Sequence, residues 1–233
     1  STVPIGTVNF VKETLETTLA KREKEIDFNV ACNPEFLKEG DAVNDFMKPD
    51  RIVLGCDDKY TEDILKSLYA PFLRSYGRCI VMDTKSAELT KYASNSMLAT
   101  KISFMNELSQ IAERIGADIE QVRNAMGADS RIGYDFIYPG IGYGGSCFPK
   151  DLKALSLSAK NHGYNTKILK AVEEVNHAQK KILTEKVLLH FNGNVKNRAF
   201  GLWGLSFKPK TDDLRNAPSE YILKQLSDKG ATI

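Results

Sequence analysis

Residues 85–115 read KSAELTKYASNSMLATKISFMNELSQIAERI, a run without one glycine or proline. Its apolar spacing is helical, and a helix of this length spans roughly 45 Å. That is too long for a crossover between neighbouring strands. Lys91 and Asn95 stand four residues apart and share a face. The same line continues through Leu98, Ile102, Met105 and Ala112, which marks it as the packed side. A lysine there must find a partner or lose its charge, so Lys91 reads as a site residue. The alternative is a stem that snorkels past the helix to water.

Upstream of this helix the pattern alternates strand and helix. The opening residues Ser1, Thr2, Val3 and Pro4 read as a strand end, followed by a helix from Gly6 and Thr7 through Val8, Val11 and Leu15. Strands are expected at 27–31, 51–55 and 79–82, with a helix over 60–73. Such alternation implies a parallel sheet covered by helices. Thr2, Asn33 and Asp57 would lie at the carboxyl ends of its strands, where ligands gather.

Downstream, a second helix is expected over 118–126, then a glycine-rich loop to Ser146, then amphipathic helices over 148–160 and 167–190. The α/β rhythm restarts with a buried strand at 198–205, a polar loop over 206–218 and a helix over 219–229 halted by Gly230. The expected fold class is α/β: the C-terminal part of a Rossmann-like parallel sheet (1–84), a central all-helical dimerisation domain built on the long helix (85–193), and the start of a second α/β domain (194–233).

Composition bounds the function without naming it. The 233 residues are 42% hydrophobic and 27% charged, and 32 Lys and Arg against 30 Asp and Glu leave a net charge of +2. The basic residues are scattered among acidic ones, which argues against nucleic acid as the main partner. Cys32, Cys56, Cys79 and Cys147 lie far apart, and His162, His177 and His190 are not at metal-ligand spacing with them. Neither a metal site nor a disulfide scaffold is expected. No apolar run approaches the roughly 20 residues that cross a bilayer, so the expected location is a reducing cytoplasm without membrane contact.

The most specific motif is Gly142-Tyr143-Gly144-Gly145-Ser146-Cys147-Phe148-Pro149-Lys150-Asp151. Pro149 suits a first helical turn and Asp151 complements the positive end of its dipole, so Cys147 falls at a helix N-terminus. Thiolate is favoured there, and Lys150 is close in sequence to add positive charge. The glycines are read as letting backbone approach a ligand. A small buried hydrophobe is the alternative for Cys147 and the reading adopted for Cys56 and Cys79. Two weaker constellations follow. Glu35 and Glu39, four apart after a strand end, could manage a proton or be the solvated face of a short helical turn. Lys208, Lys210 and Arg215 could hold a phosphate or form a charged loop facing water.

Together the segments STVPIGT, NPEFLKEG, PDRIVLG, SAELTKYASNSMLATKISFMNE, RIGYDFIYPGIGYGGSCFPKD and LSFKPKTDDLRNAPS resemble the UDP-glucose and GDP-mannose dehydrogenase family along the whole chain. The resemblance implies a four-electron oxidation of a sugar C6 alcohol to a carboxylate, with NAD as cofactor. It implies UDP-glucose or a related nucleotide sugar as substrate, and a homodimer through the long helix. By the same resemblance Lys91, helped by Asn95 and a water held by Asp151 and Thr2, takes the alcohol proton. Cys147 then forms the thiohemiacetal and thioester, and water near Glu35 and Glu39 releases the acid. Phe36, Leu37, Lys38, Tyr143, Gly144 and Lys208 are the implied substrate contacts. Arg131 is implied to reach the sugar of a partner subunit, and Thr2, Lys150 and Arg215 the dinucleotide.

The family's opening strand and GxGxxG turn are not found before the first strand remnant, so the chain is expected to be a fragment with little NAD binding of its own and no turnover. Rival readings are a GDP-mannose or UDP-N-acetylhexosamine dehydrogenase of the same family, and a hydroxyacid dehydrogenase of the 6-phosphogluconate type, which shares a Lys-xxx-Asn pair but needs no thiol. A further rival is a non-catalytic helical dimerisation module. Buried Lys91 and the glycine run argue against the last, because neither is expected to help packing.

Overall fold

The computed structural model describes residues 2–73 and 78–233. Ser1, counted in the opening strand end, lies outside them. The elements run α1 (Thr7–Lys21), α2 (Ala42–Met47), β1 (Ile52–Gly55), α3 (Lys59–Tyr69), β2 (Cys79–Met82), α4 (Thr84–Ile115), α5 (Ile119–Gly127), α6 (Phe148–Asn161), α7 (Ile168–His190) and α8 (Pro218–Ser227). This is the α/β architecture with one long helix that the sequence predicts. Two compact units divide the chain, Ser1–Ser94 and Asn95–Ile233.

In the first unit β1 and β2 pair in parallel, with Ile52 opposite Cys79 and Gly55 opposite Met82. Ile52, Val53 and Leu54 are buried, as expected of a strand covered on both faces. Val8, Cys32, Val53 and Ala87 form the core, with Val30, Phe36 and Met82 against it. The N-terminus of α1 is closed from far along the chain. Glu88, 1% exposed, accepts the backbone N–H of Gly6 at 2.5 Å and of Val8 at 2.9 Å. It does the work of an N-cap side chain, satisfying donors a helix start leaves open.

In the second unit Ala99, Tyr143, Leu152 and Val172 make the core, with Ile102 and Phe148 packed on it. Helix α7 packs against α6 and α8. Helix α5 begins after Asp118, whose carboxylate accepts the N–H of Glu120 at 2.8 Å.

Two expected strands do not form. Residues 27–31 are not a strand. The backbone here pairs with β1 at Cys32, which exchanges hydrogen bonds of 2.8 and 2.7 Å with Gly55. Asp27 and Asn29 are poor strand formers, and one paired residue does not make a ladder. The segment 198–205 is neither a strand nor buried: Ala199 bridges Thr232, and the Trp203 side chain is fully exposed. Hydrophobicity alone predicted burial there, but the ladder-like pairing is confined to the bonds that Arg198 and Phe200 make with Thr232.

Candidate active-site residues in two clusters

The first cluster lies in the first unit, where α4 presents Lys91 four residues before its boundary. Lys91 does not snorkel to water. It is 5% exposed, its Nζ lies 3.2 Å from Glu35 Oε1, and it stands 5.3 Å from the centre of the Phe36 ring. The second oxygen of Glu35 accepts the N–H of Leu37 at 2.8 Å, so this carboxylate is oriented through both oxygens. Arg51 stacks on the same Phe36 ring at 3.9 Å. Asn33 donates to the Val53 carbonyl at 2.9 Å and accepts from the Tyr69 hydroxyl, which ties the start of this loop to the sheet.

No helix spans 33–38, so the four-residue spacing does not put Glu35 and Glu39 on one helical face. Pro34 has no N–H to give a helix and biases Asn33 away from helical dihedrals. Lys38 is exposed and pairs with Asp45 at 3.1 Å, a contact that raises its pKa through the hydrogen bond to Asp45. Thr2 sits half-buried in the stretch before α1.

The second cluster lies in the second unit. Cys147 is the N-cap of α6, with Pro149 in the first turn, as the motif predicts. It is exposed, its carbonyl accepts the N–H of Asp151 at 2.9 Å, and Ser146 Oγ lies 3.7 Å from its Sγ. Asp151 is 1% exposed and accepts from Asn95 Nδ2 at 2.5 Å, so Asn95 and Asp151 form one buried polar pair. Lys150 Nζ stands 3.0 Å from the other Asp151 oxygen.

The glycines before Cys147 also need a corrected reason. A Cβ on Gly144 would lie 2.4 Å from the Asn216 carbonyl oxygen, and one on Gly145 would lie 2.8 Å from the Phe207 ring. Gly145 further takes φ +81° and donates its N–H to the Arg215 carbonyl at 2.7 Å. Close packing against the loop over 206–217 demands them, not only a ligand. The glycine run therefore does serve packing. Tyr143 is buried, and its hydroxyl pKa is driven upward by burial and then by Glu173.

Three further cations of this unit were implied contacts, and Arg131 and Arg215 face outward. Arg131, its side chain 86% exposed, is held by Asp129, with Nε at 3.0 Å from Oδ1. Lys208 is half-buried with its Nζ 5.5 Å from the Phe207 ring centre, and Arg215 pairs with Asp213 at 2.8 Å.

The sequence reading missed Glu88, Asn106, Asn176 and Gln179, all buried and polar. The signal for Glu88 and Asn106 was present: Glu88, Lys91, Asn95, Ala99, Ile102 and Asn106 follow the three- and four-residue steps of one helix face. Two open grooves exist elsewhere, one of about 630 Å³ along α7 between Glu173 and Glu185 and one of about 590 Å³ over 40–47. No residue of either cluster lines them.

The chain thus holds a cysteine N-cap, a buried lysine paired with a half-exposed glutamate, and a buried amide–carboxylate pair. Residues 1–73 match the NAD binding domain of the UDP-glucose/GDP-mannose dehydrogenase family, residues 85–178 its central domain, and residues 201–233 its UDP binding domain. The chain belongs to this family. It is 51% identical over all 233 residues to a UDP-glucose 6-dehydrogenase of Pseudomonas aeruginosa, covering 51% of that protein. It is 47% identical over 233 residues to one of Bacillus subtilis, again covering 51% of it. The structure of a UDP-glucose dehydrogenase from Pyrobaculum islandicum superposes with a TM-score of 0.89 at 40% identity, over 99% of this chain and 52% of that one. The chain thus spans about half the length of the curated relatives it matches.

NAD, the cofactor named for the family's first domain, fits the residues here in part. Lys150 and Arg215 carry exposed cationic heads and Thr2 a hydroxyl, the chemistry that holds phosphate and ribose, although each cation already holds a carboxylate. Both strand-to-helix turns described are closed by aspartates. Asp58 accepts the Thr61 N–H at 2.8 Å, and Asp83 the Ser86 N–H at 2.9 Å. Acidic caps repel a diphosphate, so neither of these two turns has the chemistry of its cradle.

Proposed function

We propose that the full-length protein is an NAD-dependent UDP-glucose 6-dehydrogenase that oxidises the C6 alcohol to a carboxylate through a thioester on Cys147. The observation that carries this reading is an exposed cysteine as N-cap of α6, one turn ahead of a carboxylate buried against Asn95. Open backbone N–H groups at a helix start favour thiolate and can hold a developing oxyanion.

NAD, when bound, accepts one hydride in each of the two oxidations. In the first, the C6 hydroxyl gives up its proton to Lys91, helped by the water assigned to Asp151 and Thr2. Lys91 and Asn95, on one face of α4, stabilise the alkoxide as C6 loses hydride and becomes an aldehyde. In the second, the Cys147 thiolate bonds to the aldehyde carbon and gives a thiohemiacetal alkoxide. Loss of hydride from that carbon leaves the thioester. Water then adds to the acyl carbon, the C–S bond breaks, and the thiolate and carboxylate are released. Glu35, oriented by Lys91 and the Leu37 N–H, is the assigned partner of that water, with Glu39 near it in sequence. Phe36, Leu37, Lys38, Tyr143, Gly144 and Lys208 are the proposed substrate contacts.

A homodimer through α4 belongs to the same proposal. Met97, Phe104 and Ile111 recur every seven residues on α4 and are 63%, 50% and 48% exposed, a stripe that a second copy would cover. Arg131, facing outward, is the residue assigned to the neighbouring subunit's sugar. All four cysteines are free thiols, which suits the cytoplasm proposed as location. Among the described residues no helix is long and apolar enough to cross a membrane.

The reading is tested by counting NADH released per UDP-glucose consumed by the full-length protein. Two are expected. One, with the aldehyde as final product, defeats it, and faster turnover of GDP-mannose or a UDP-N-acetylhexosamine would reassign the substrate within the family.

A further inference from the structure

Between α5 and α6 the chain runs through residues 128–147 without regular structure, so its backbone groups must find partners elsewhere. At two points they find buried side-chain amides. The Gly140 N–H donates to Asn106 Oδ1 at 2.8 Å, and its carbonyl accepts from Gln179 Nε2 at 2.7 Å. The Tyr143 N–H donates to Asn176 Oδ1 at 2.8 Å, and its carbonyl accepts from Asn176 Nδ2 at 3.2 Å. One primary amide thus engages both backbone groups of Tyr143, as a neighbouring strand would. Asn106, Asn176 and Gln179 are all buried, and they project from α4 and α7.

The same stretch is fixed through its side chain. The Tyr143 ring packs with Ala99, Leu152 and Val172 and meets Phe148 edge-on at 5.6 Å. Phe148 follows Cys147 directly and opens α6. A loop that needed only burial could be packed by apolar groups at no desolvation cost. Buried amides matched to one peptide's donor and acceptor instead select a single backbone placement.

We propose that Asn176 is a positioning residue for Cys147. By holding Tyr143 it sets the start of the Gly144–Ser146 run, and so the place from which the thiol approaches the substrate carbon, without touching substrate itself. The inference rests on Cys147 being the nucleophile. A misplacement of about 1 Å at a reacting group costs about 100-fold in rate, so loss of this clamp should show in the thiol-dependent step.

The test uses the full-length protein and the C6-aldehyde of UDP-glucose. Oxidation of this aldehyde with NAD needs the thiol. Its reduction with NADH reverses the first step and does not. Asn176→Leu keeps the volume and removes both hydrogen bonds. The ratio of oxidation to reduction is expected to fall about 10- to 100-fold relative to the parent. Equal losses in both directions would mean a purely structural role and overturn the inference. Asn176→Asp keeps the acceptor for the Tyr143 N–H and is expected to fall between parent and Asn176→Leu. If the leucine variant does not fold, the aspartate variant is read on the same ratio, and a parental value overturns the inference. Cys147→Ser separates the two levels. If it still oxidises the aldehyde at the parental rate, the nucleophile reading fails and the inference with it. If it does not, while the Asn176 variants keep the parental ratio, only the inference fails.

Discussion

Full-length protein carrying Cys147→Ser is expected to form uronate at least about 1,000-fold more slowly than the parent, while still reducing NAD once per sugar. The first oxidation draws on Lys91, Asn95 and Asp151 and leaves the sulfur unused. The second requires a nucleophile that attacks at neutral pH and then leaves from an acyl carbon, and a serine hydroxyl does both poorly. The substitution should not disturb the fold. Cys147 is exposed, and a serine is among the preferred residues at a helix N-cap. Stopped-flow absorbance of NADH with product analysis checks this: one NADH per sugar with the aldehyde level accumulating is expected. Parental uronate formation would remove the thiol from the mechanism.

Lys91→Met is the second large effect. The methionine keeps most of the stem volume against Phe36 and removes the amine nitrogen 3.2 Å from Glu35. A positioned acid–base group contributes about 100- to 10,000-fold, and a fall in kcat of that size is expected for the first hydride transfer. Stability should change little. Glu35 is 45% exposed in its side chain and keeps the Leu37 N–H, so removing its partner leaves it hydrated and not an uncompensated buried charge. Melting temperature and kcat measured together distinguish the cases. An unchanged melt with collapsed kcat supports the site role, whereas a lowered melt with parental kcat makes Lys91 a structural ion pair.

How far the sequence could be read depended on the range of the interaction. Helix α4 was legible because its apolar residues keep helical spacing over an unbroken run without glycine or proline. The start of α6 at Cys147 was legible because Pro149 and Asp151 are local signals. Lys91 was correctly marked as buried by its place on the apolar face, yet nothing local named Glu35 as its partner. Glu88 at the head of α1 joins residues 80 and 82 positions apart, and Asn176 meets Tyr143 across 33, so neither contact has a signature in spacing. The strands expected at 27–31 and 198–205 failed because composition reports propensity, whereas a strand also needs a partner backbone. Gly144 and Gly145 were legible as positions of close approach, but the approaching group proved to include Asn216 and Phe207 of the same chain.

The central claim is that the sulfur of Cys147 carries the oxidised hexose. The most direct measurement alkylates the full-length protein with iodoacetamide, maps the modified cysteines by peptide mass spectrometry, and follows uronate formation against the fraction of Cys147 blocked. Activity should fall in proportion to that fraction, with bound UDP-glucose slowing the reaction at this residue. Full uronate formation by protein whose Cys147 is completely alkylated would contradict the account.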